Sequence, residues 1–137
     1  MTKRFYVKGA EQTLGAQIDW VANTIKAHLM LSTYTPNYST HDFRDDIAAY
    51  IASSFTLTGK AITGGVFDAN DITFPSVTAG QVCNAVVFSK EGGTDATSPL
   101  LLYIDYNDIT NFPVTTAGGD VAVSLPNPAC MVFRLGP

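Results

Sequence analysis

At 137 residues the chain has the length of one domain and can bury a core without disulfide or metal staples. Charged residues make up only 15% against 46% hydrophobic, and the net charge is −4, a balance that argues against nucleic-acid binding, which rests on neutralising phosphates. The opening MTKRFYVKGAEQ lacks the apolar core of a signal peptide, and no run approaches the roughly eighteen apolar residues of a membrane span; the expectation is a cytoplasmically made chain, neither exported nor membrane-inserted.

Residues Arg4, Phe5, Tyr6, Val7 and Lys8 predict a short strand, with Phe5 and Val7 on one face and Tyr6 on the other. Lys3, Arg4 and Lys8 also place three of the eight basic residues in the first eight positions, leaving five against twelve acidic residues in the rest. A basic segment ahead of an acidic body can dock electrostatically, so residues 1–15 form a candidate docking arm, of which residues 1–8 are expected to be dispensable for folding. Residues 9–15 read as a loop or weak strand, and Ile18–Val21 as the start of another strand.

Thr24 to Leu31 alternates strictly. Ile25, Ala27, Leu29 and Leu31 face one way, and Thr24, Lys26, His28 and Met30 the other, as in a strand with one buried face and one wet face. Ser32 to Thr40 is a loop turned by Pro36 and Asn37. Its tyrosines, Tyr34 and Tyr38, either form a contact surface or fold back over the domain. Residues 42–52 carry the helical pattern: Phe43, Ile47, Tyr50 and Ile51 share a face, Asp42 suits an N-cap, and Asp45 and Asp46 favour a first turn.

From Ser54 onward the pattern is strands and turns. SFTLT alternates, Gly59–Lys60 and Gly64–Gly65 punctuate, and Ile72 and Phe74 share a face before Pro75. Val82 to Lys90 has the apolar, β-branched character of a central strand, and the polar loop 91–99 joins it to Leu100–Tyr106 as a hairpin. Asp120–Leu125 and Cys130–Leu135 are the last expected strands. The fold expectation is all-β: a single β-sandwich or small barrel over residues 1–137, with one short helix near residues 42–52.

Candidate chemistry is sparse. His41, Asp42, Asp45 and Asp46 could be considered for a metal, but helix capping explains them. Asp68, Asn70 and Asp71 resemble a fragment of a calcium loop yet lack its glycine and distal glutamate. Cys83 and Cys130 read as buried thiols, with one disulfide the alternative. There is no nucleophile elbow, no phosphate-cradling glycine loop and no legible carboxylate pair. No enzyme, cofactor or metal is expected.

Several blocks occur in a telling order: Trp20; Asn23-Thr24-Ile25-Lys26-Ala27-His28-Leu29; Tyr34-Thr35-Pro36-Asn37; His41-Asp42-Phe43 with Asp45-Asp46-Ile47; Thr56-Leu57-Thr58-Gly59-Lys60; Phe67 to Phe74; and Ser98 to Tyr106. Together, over roughly residues 18–135, they resemble small virion structural proteins of tailed bacteriophages. The resemblance implies a structural role in the virion, assembled in the host cytoplasm. Its leading form is a capsid decoration (cement) protein that contacts the major capsid protein and itself, as a homotrimer on a threefold axis. Met30, Leu101 and Tyr103, left on second strand faces, are the residues expected to be buried between copies. The alternative is a tail- or fibre-associated module that recognises host-surface glycan through exposed Tyr34 and Tyr38.

Overall fold

The longest alternating segments hydrogen-bond into one antiparallel sheet, because their runs of β-branched and aromatic residues are long enough to cross the domain, while shorter ones pair as two-stranded ribbons. The protein's structure, a computed structural model, describes residues 3–105, 109 and 111–123. The elements are β1 (Lys3–Phe5), α1 (Val7–Leu14), β2 (Ile25–Leu31), β3 (Ile51–Thr56), β4 (Ala61–Thr63), β5 (Val66–Asp68), β6 (Ile72–Phe74), β7 (Val82–Lys90), β8 (Leu100–Asp105), β9 (Val114–Thr115) and β10 (Val121–Val123). The main sheet runs β1-β8-β7-β2-β3, with β9 also on β7, and the ribbons β4–β5 and β6–β10 complete the strands. This is a mainly β domain with one short α-helix, as expected. The run Val82–Lys90 is central, paired with β2 on one side and β8 on the other, and loop 91–99 makes the β7–β8 hairpin.

Both faces of the main sheet are covered. Ile25, Ala27, Leu29, Val86, Phe88, Leu102 and Ile104 pack against Phe67, Ile72, Phe74, Val121 and Val123 of the ribbons, forming the two-layer core. Each of these side chains larger than alanine contributes about 1.5–3 kcal/mol when withdrawn from water, an upper figure for a chain already partly compact when unfolded. Met30, Ala85, Val87, Leu100 and Tyr103 cover the opposite face together with Tyr6, Tyr34 and Ile47. The expectation of a wet second face is therefore corrected: residues 32–50 fold back over it. Met30 and Leu101 are 0% exposed and Tyr103 9%, so they are buried within the chain and unavailable between copies.

Three further expectations change. The arm is not an appendage: β1 pairs with β8 from Lys3↔Ile104 to Phe5↔Leu102, the Tyr6 amide donates to the Leu101 carbonyl at 3.0 Å, and the chain turns into α1. Removing residues 1–8 would strip β1 from β8 together with a fully buried tyrosine, so the deletion is expected to destabilise the fold. Segment 42–52 is helical only as two 3-10 turns, Arg44–Asp46 and Ala48–Tyr50, because Ile51 is claimed by β3 opposite Met30; one Asp46 carboxylate oxygen caps the first turn by accepting the Asp42 and Phe43 amides. Ile18–Val21 is a turn rather than a strand, since Asp19 Oδ1 accepts the amides of Val21 and Ala22. Trp20 instead bridges elements, its ring against Phe5 and Phe67 and its Nε1 donating to Thr13. The expected strand 130–135, with Cys130, lies outside the described residues.

Candidate functional site

Three polar arrangements deserve comparison, and the first is a tyrosine cluster. Five of the six tyrosines, Tyr6, Tyr34, Tyr38, Tyr50 and Tyr103, meet under the folded-back loop with ring centroids 5.4–6.2 Å apart. The Asn37 amide donates to His41 Nδ1 at 3.2 Å, which makes that nitrogen an acceptor. Tyr34 then donates to it at 2.9 Å, and Tyr6 donates to the Tyr34 oxygen at 2.8 Å. Burial pushes the Tyr6 and Tyr34 phenols up from their ordinary range, so both stay neutral donors. Tyr34→Phe removes the acceptor for a hydroxyl in a fully buried ring, and should destabilise by roughly 1–3 kcal/mol. Urea unfolding measures this; a loss under about 0.5 kcal/mol would show that the chain of hydroxyls does not hold the loop down.

A second arrangement centres on His28, expected on a wet face but only 1% exposed. Its Nδ1 meets Ser54 Oγ at 2.6 Å and its Nε2 meets Ser89 Oγ at 2.7 Å, so one ring nitrogen donates and the other accepts. Burial, reinforced by the nearby Arg44 and Lys26 cations, pushes the imidazole down to about 3. A base that weak is a poor partner for a serine nucleophile, and the group reads as a satisfied core histidine. Beside it Arg44 donates to Asp95 at 2.5 Å and to Glu91 at 2.9 Å, and Lys26 pairs with Glu91 at 3.0 Å. The Arg44 guanidinium beside it holds Glu91 down at about 2. This network ties the first 3-10 turn to the β7–β8 loop.

The third arrangement is the N-terminal edge. The structure separates the seven sequence-predicted contact residues into two sets. Tyr6 is 0% and Tyr34 4% exposed, so neither can touch a partner, and Tyr38 is half-buried under Arg4, whose guanidinium lies 4.2 Å from its ring centre. That corrects the picture of Tyr34 and Tyr38 as exposed aromatics. Arg4 and Val7 are exposed; Phe5 and Lys8 are half-buried, with the Lys8 ammonium 5.4 Å from the Phe43 ring centre. Sequence reasoning missed Leu14, 78% exposed on α1, and the apolar groove of about 310 Å³ that it lines with Phe5, Ala10 and Thr13. The signal was available in outline, since Val7, Ala10 and Leu14 stand at helical spacing.

Asp68 ends β5, and Asn70 and Asp71 lie in the short connection to β6, with Asn70 Nδ2 donating to Thr58 Oγ1. Among the described residues no three His, Cys, Asp or Glu side chains are placed to hold a metal, and no helix is long and apolar enough to cross a membrane. Cys83 is a buried thiol. No family model, curated protein or solved structure matches this chain.

Proposed function

We propose that the chain is a virion structural protein of a tailed bacteriophage, acting as a capsid decoration protein that binds the major capsid protein and strengthens the head. Two things support this reading. The ordered sequence blocks resemble such proteins, and the N-terminal edge has the composition of a protein-docking surface. The observation that carries it is the second: Val7 at 46% and Leu14 at 78% exposure stand beside Arg4 and Lys8 on β1, the outermost strand of the main sheet among the described residues, and its following helix. Both faces of the main sheet are already covered by the chain itself, which leaves edges and helix faces for contact. Self-association into a trimer belongs to the same proposal, and would draw on this exposed set rather than on Met30, Leu101 or Tyr103.

The test uses empty expanded heads of the phage that carries the gene. The protein should co-sediment with them and raise their melting temperature, and binding should weaken with added salt if Arg4 and Lys8 contribute. A protein that leaves particles unaltered, or that fractionates with disrupted tails, would sink the proposal.

A further inference from the structure

The tyrosine cluster over the second face has a feature that holding the loop down does not require: one of its hydroxyls is aimed at a base. Removing an electron from a buried phenol leaves a cation that its surroundings cannot solvate, so the electron departs only if the hydroxyl proton departs with it. The tyrosines meet that demand unequally. Tyr6 donates to the Tyr34 oxygen at 2.8 Å, and a phenol is no base. Tyr38 lies under the Arg4 guanidinium, whose charge opposes a second positive charge in the ring. Tyr34, only 4% exposed, donates to His41 Nδ1 at 2.9 Å, the nitrogen that also accepts the Asn37 amide. His41 is half-buried, and the Asp46 carboxylate acts on it electrostatically, so an imidazolium formed there has a counter-charge. Tyr34 is also within electronic reach of the surface. Its ring centre is 5.4 Å from that of Tyr50, which is 37% exposed.

We propose that Tyr34 and His41 form a proton-coupled redox site whose substrates are small one-electron oxidants, such as carbonate or peroxyl radicals, that meet the protein at Tyr50. The oxidant is reduced by one electron, which comes from Tyr34 by way of the Tyr50 ring. The Tyr34 hydroxyl proton crosses to His41 Nδ1, so the products are a neutral phenoxyl radical at Tyr34, an imidazolium at His41 and the reduced oxidant. Tyr6 goes on donating to the Tyr34 oxygen, which favours the radical at this ring, and burial keeps two such radicals from meeting and coupling. A thiol or ascorbate reverses the step by returning one electron, with His41 giving back the proton. This activity goes beyond docking and does not depend on what the protein binds.

The probe is the tris(bipyridine)ruthenium ion, photo-oxidised by a laser flash with a cobalt(III) quencher, acting on the full chain in mildly alkaline buffer. Transient absorption and electron paramagnetic resonance follow the phenoxyl radical. The wild type should give a long-lived radical that forms more slowly in heavy water, because a proton moves with the electron. His41→Asn keeps an acceptor for the Tyr34 hydroxyl but supplies no base, and should slow formation of that radical by about a hundredfold. Tyr34→Phe should lose the long-lived radical, and Tyr50→Phe, at an exposed position, should lose most of its yield. A circular dichroism spectrum checks that each variant is folded; if Tyr34→Phe is not, His41→Asn and Tyr50→Phe carry the decision. Equal rates in light and heavy water, or an unchanged radical in His41→Asn or in folded Tyr34→Phe, would overturn the inference. So would oxidation that ends only in dityrosine links between copies.

Discussion

Gly9→Ala is expected to destabilise the protein by roughly 2–4 kcal/mol, although helix propensity alone would make it stabilising by about 1 kcal/mol. Gly9 lies inside α1, where alanine is normally the better residue. Here, however, an added Cβ would stand 2.6 Å from the Leu100 carbonyl oxygen, 2.6 Å from Leu101 Cα and 2.7 Å from the Leu101 oxygen. All three atoms are main chain of β8, a central-sheet strand that cannot yield without disturbing its pairing to β7 and β1. The helix would have to lift off the sheet, carrying with it Tyr6 and the Val7 amide that donates to the Tyr38 carbonyl. Urea unfolding of Gly9→Ala against the wild type decides the sign. Ala10→Gly serves as a comparison, since it removes helix propensity without touching the close approach. A Gly9→Ala protein as stable as the wild type would mean that α1 does not sit on β8 as described.

The same contact explains what the sequence could and could not disclose about this end of the chain. VKGAEQTL has a glycine in its third position, no capping side chain at Tyr6 and no acidic residue in its first turn, so nothing local announces a helix. It forms because Gly9 lets it lie flat against β8. In residues 42–52 the situation is reversed. Apolar spacing, acidic residues and even the Asp46 cap on the amides of Asp42 and Phe43 satisfy the local rules for an α-helix, yet pairing with β2 claims the segment from Ile51. Tertiary demand overrode local preference at both places.

Period-2 strands were the legible part. β2 and β7 stand where alternation and β-branching put them, since that pattern records which side chains the sheet must bury. What alternation cannot record is a second cover. His28 and Met30 look like members of a wet face until residues 32–50 close over them, and the tyrosines that meet there come from three separate places in the chain: Tyr6, the covering segment itself and Tyr103 of β8. Of the contact residues, Arg4, Phe5, Val7 and Lys8 remain at the surface or its margin because they belong to β1 and the first turn of a helix. Leu14 escaped notice because the helix that exposes it was itself hidden.

Burying His28 has a consequence in acid, where the protein should lose stability well before its carboxylates protonate. The imidazole takes a proton near 6.5 when unfolded and only at about 3 when folded, chiefly because burial disfavours its charged form, with Arg44 and Lys26 adding to the effect and Asp95 and Glu91 opposing it. Between those values the unfolded chain binds more protons than the folded one, so stability is complete above about pH 6.5 and falls as the pH drops toward 3, by on the order of 4 kcal/mol in total. Glu91 acts in a lower window: held at about 2 against an ordinary 4.5 by Arg44, it contributes stability that is present above 4.5 and lost as the pH falls through 2. From pH 6.5 to 4.5 the slope therefore belongs to His28 rather than to Glu91. His28→Gln cannot take up that proton; it should start less stable at neutral pH, having lost part of the Ser54–Ser89 bridge, yet decline more gently across this interval. Urea midpoints collected every half pH unit for both proteins separate the two contributions. A wild-type midpoint that stays level from pH 7 to 4.5 would mean that water reaches the imidazole and that the loop over the second face does not seal it.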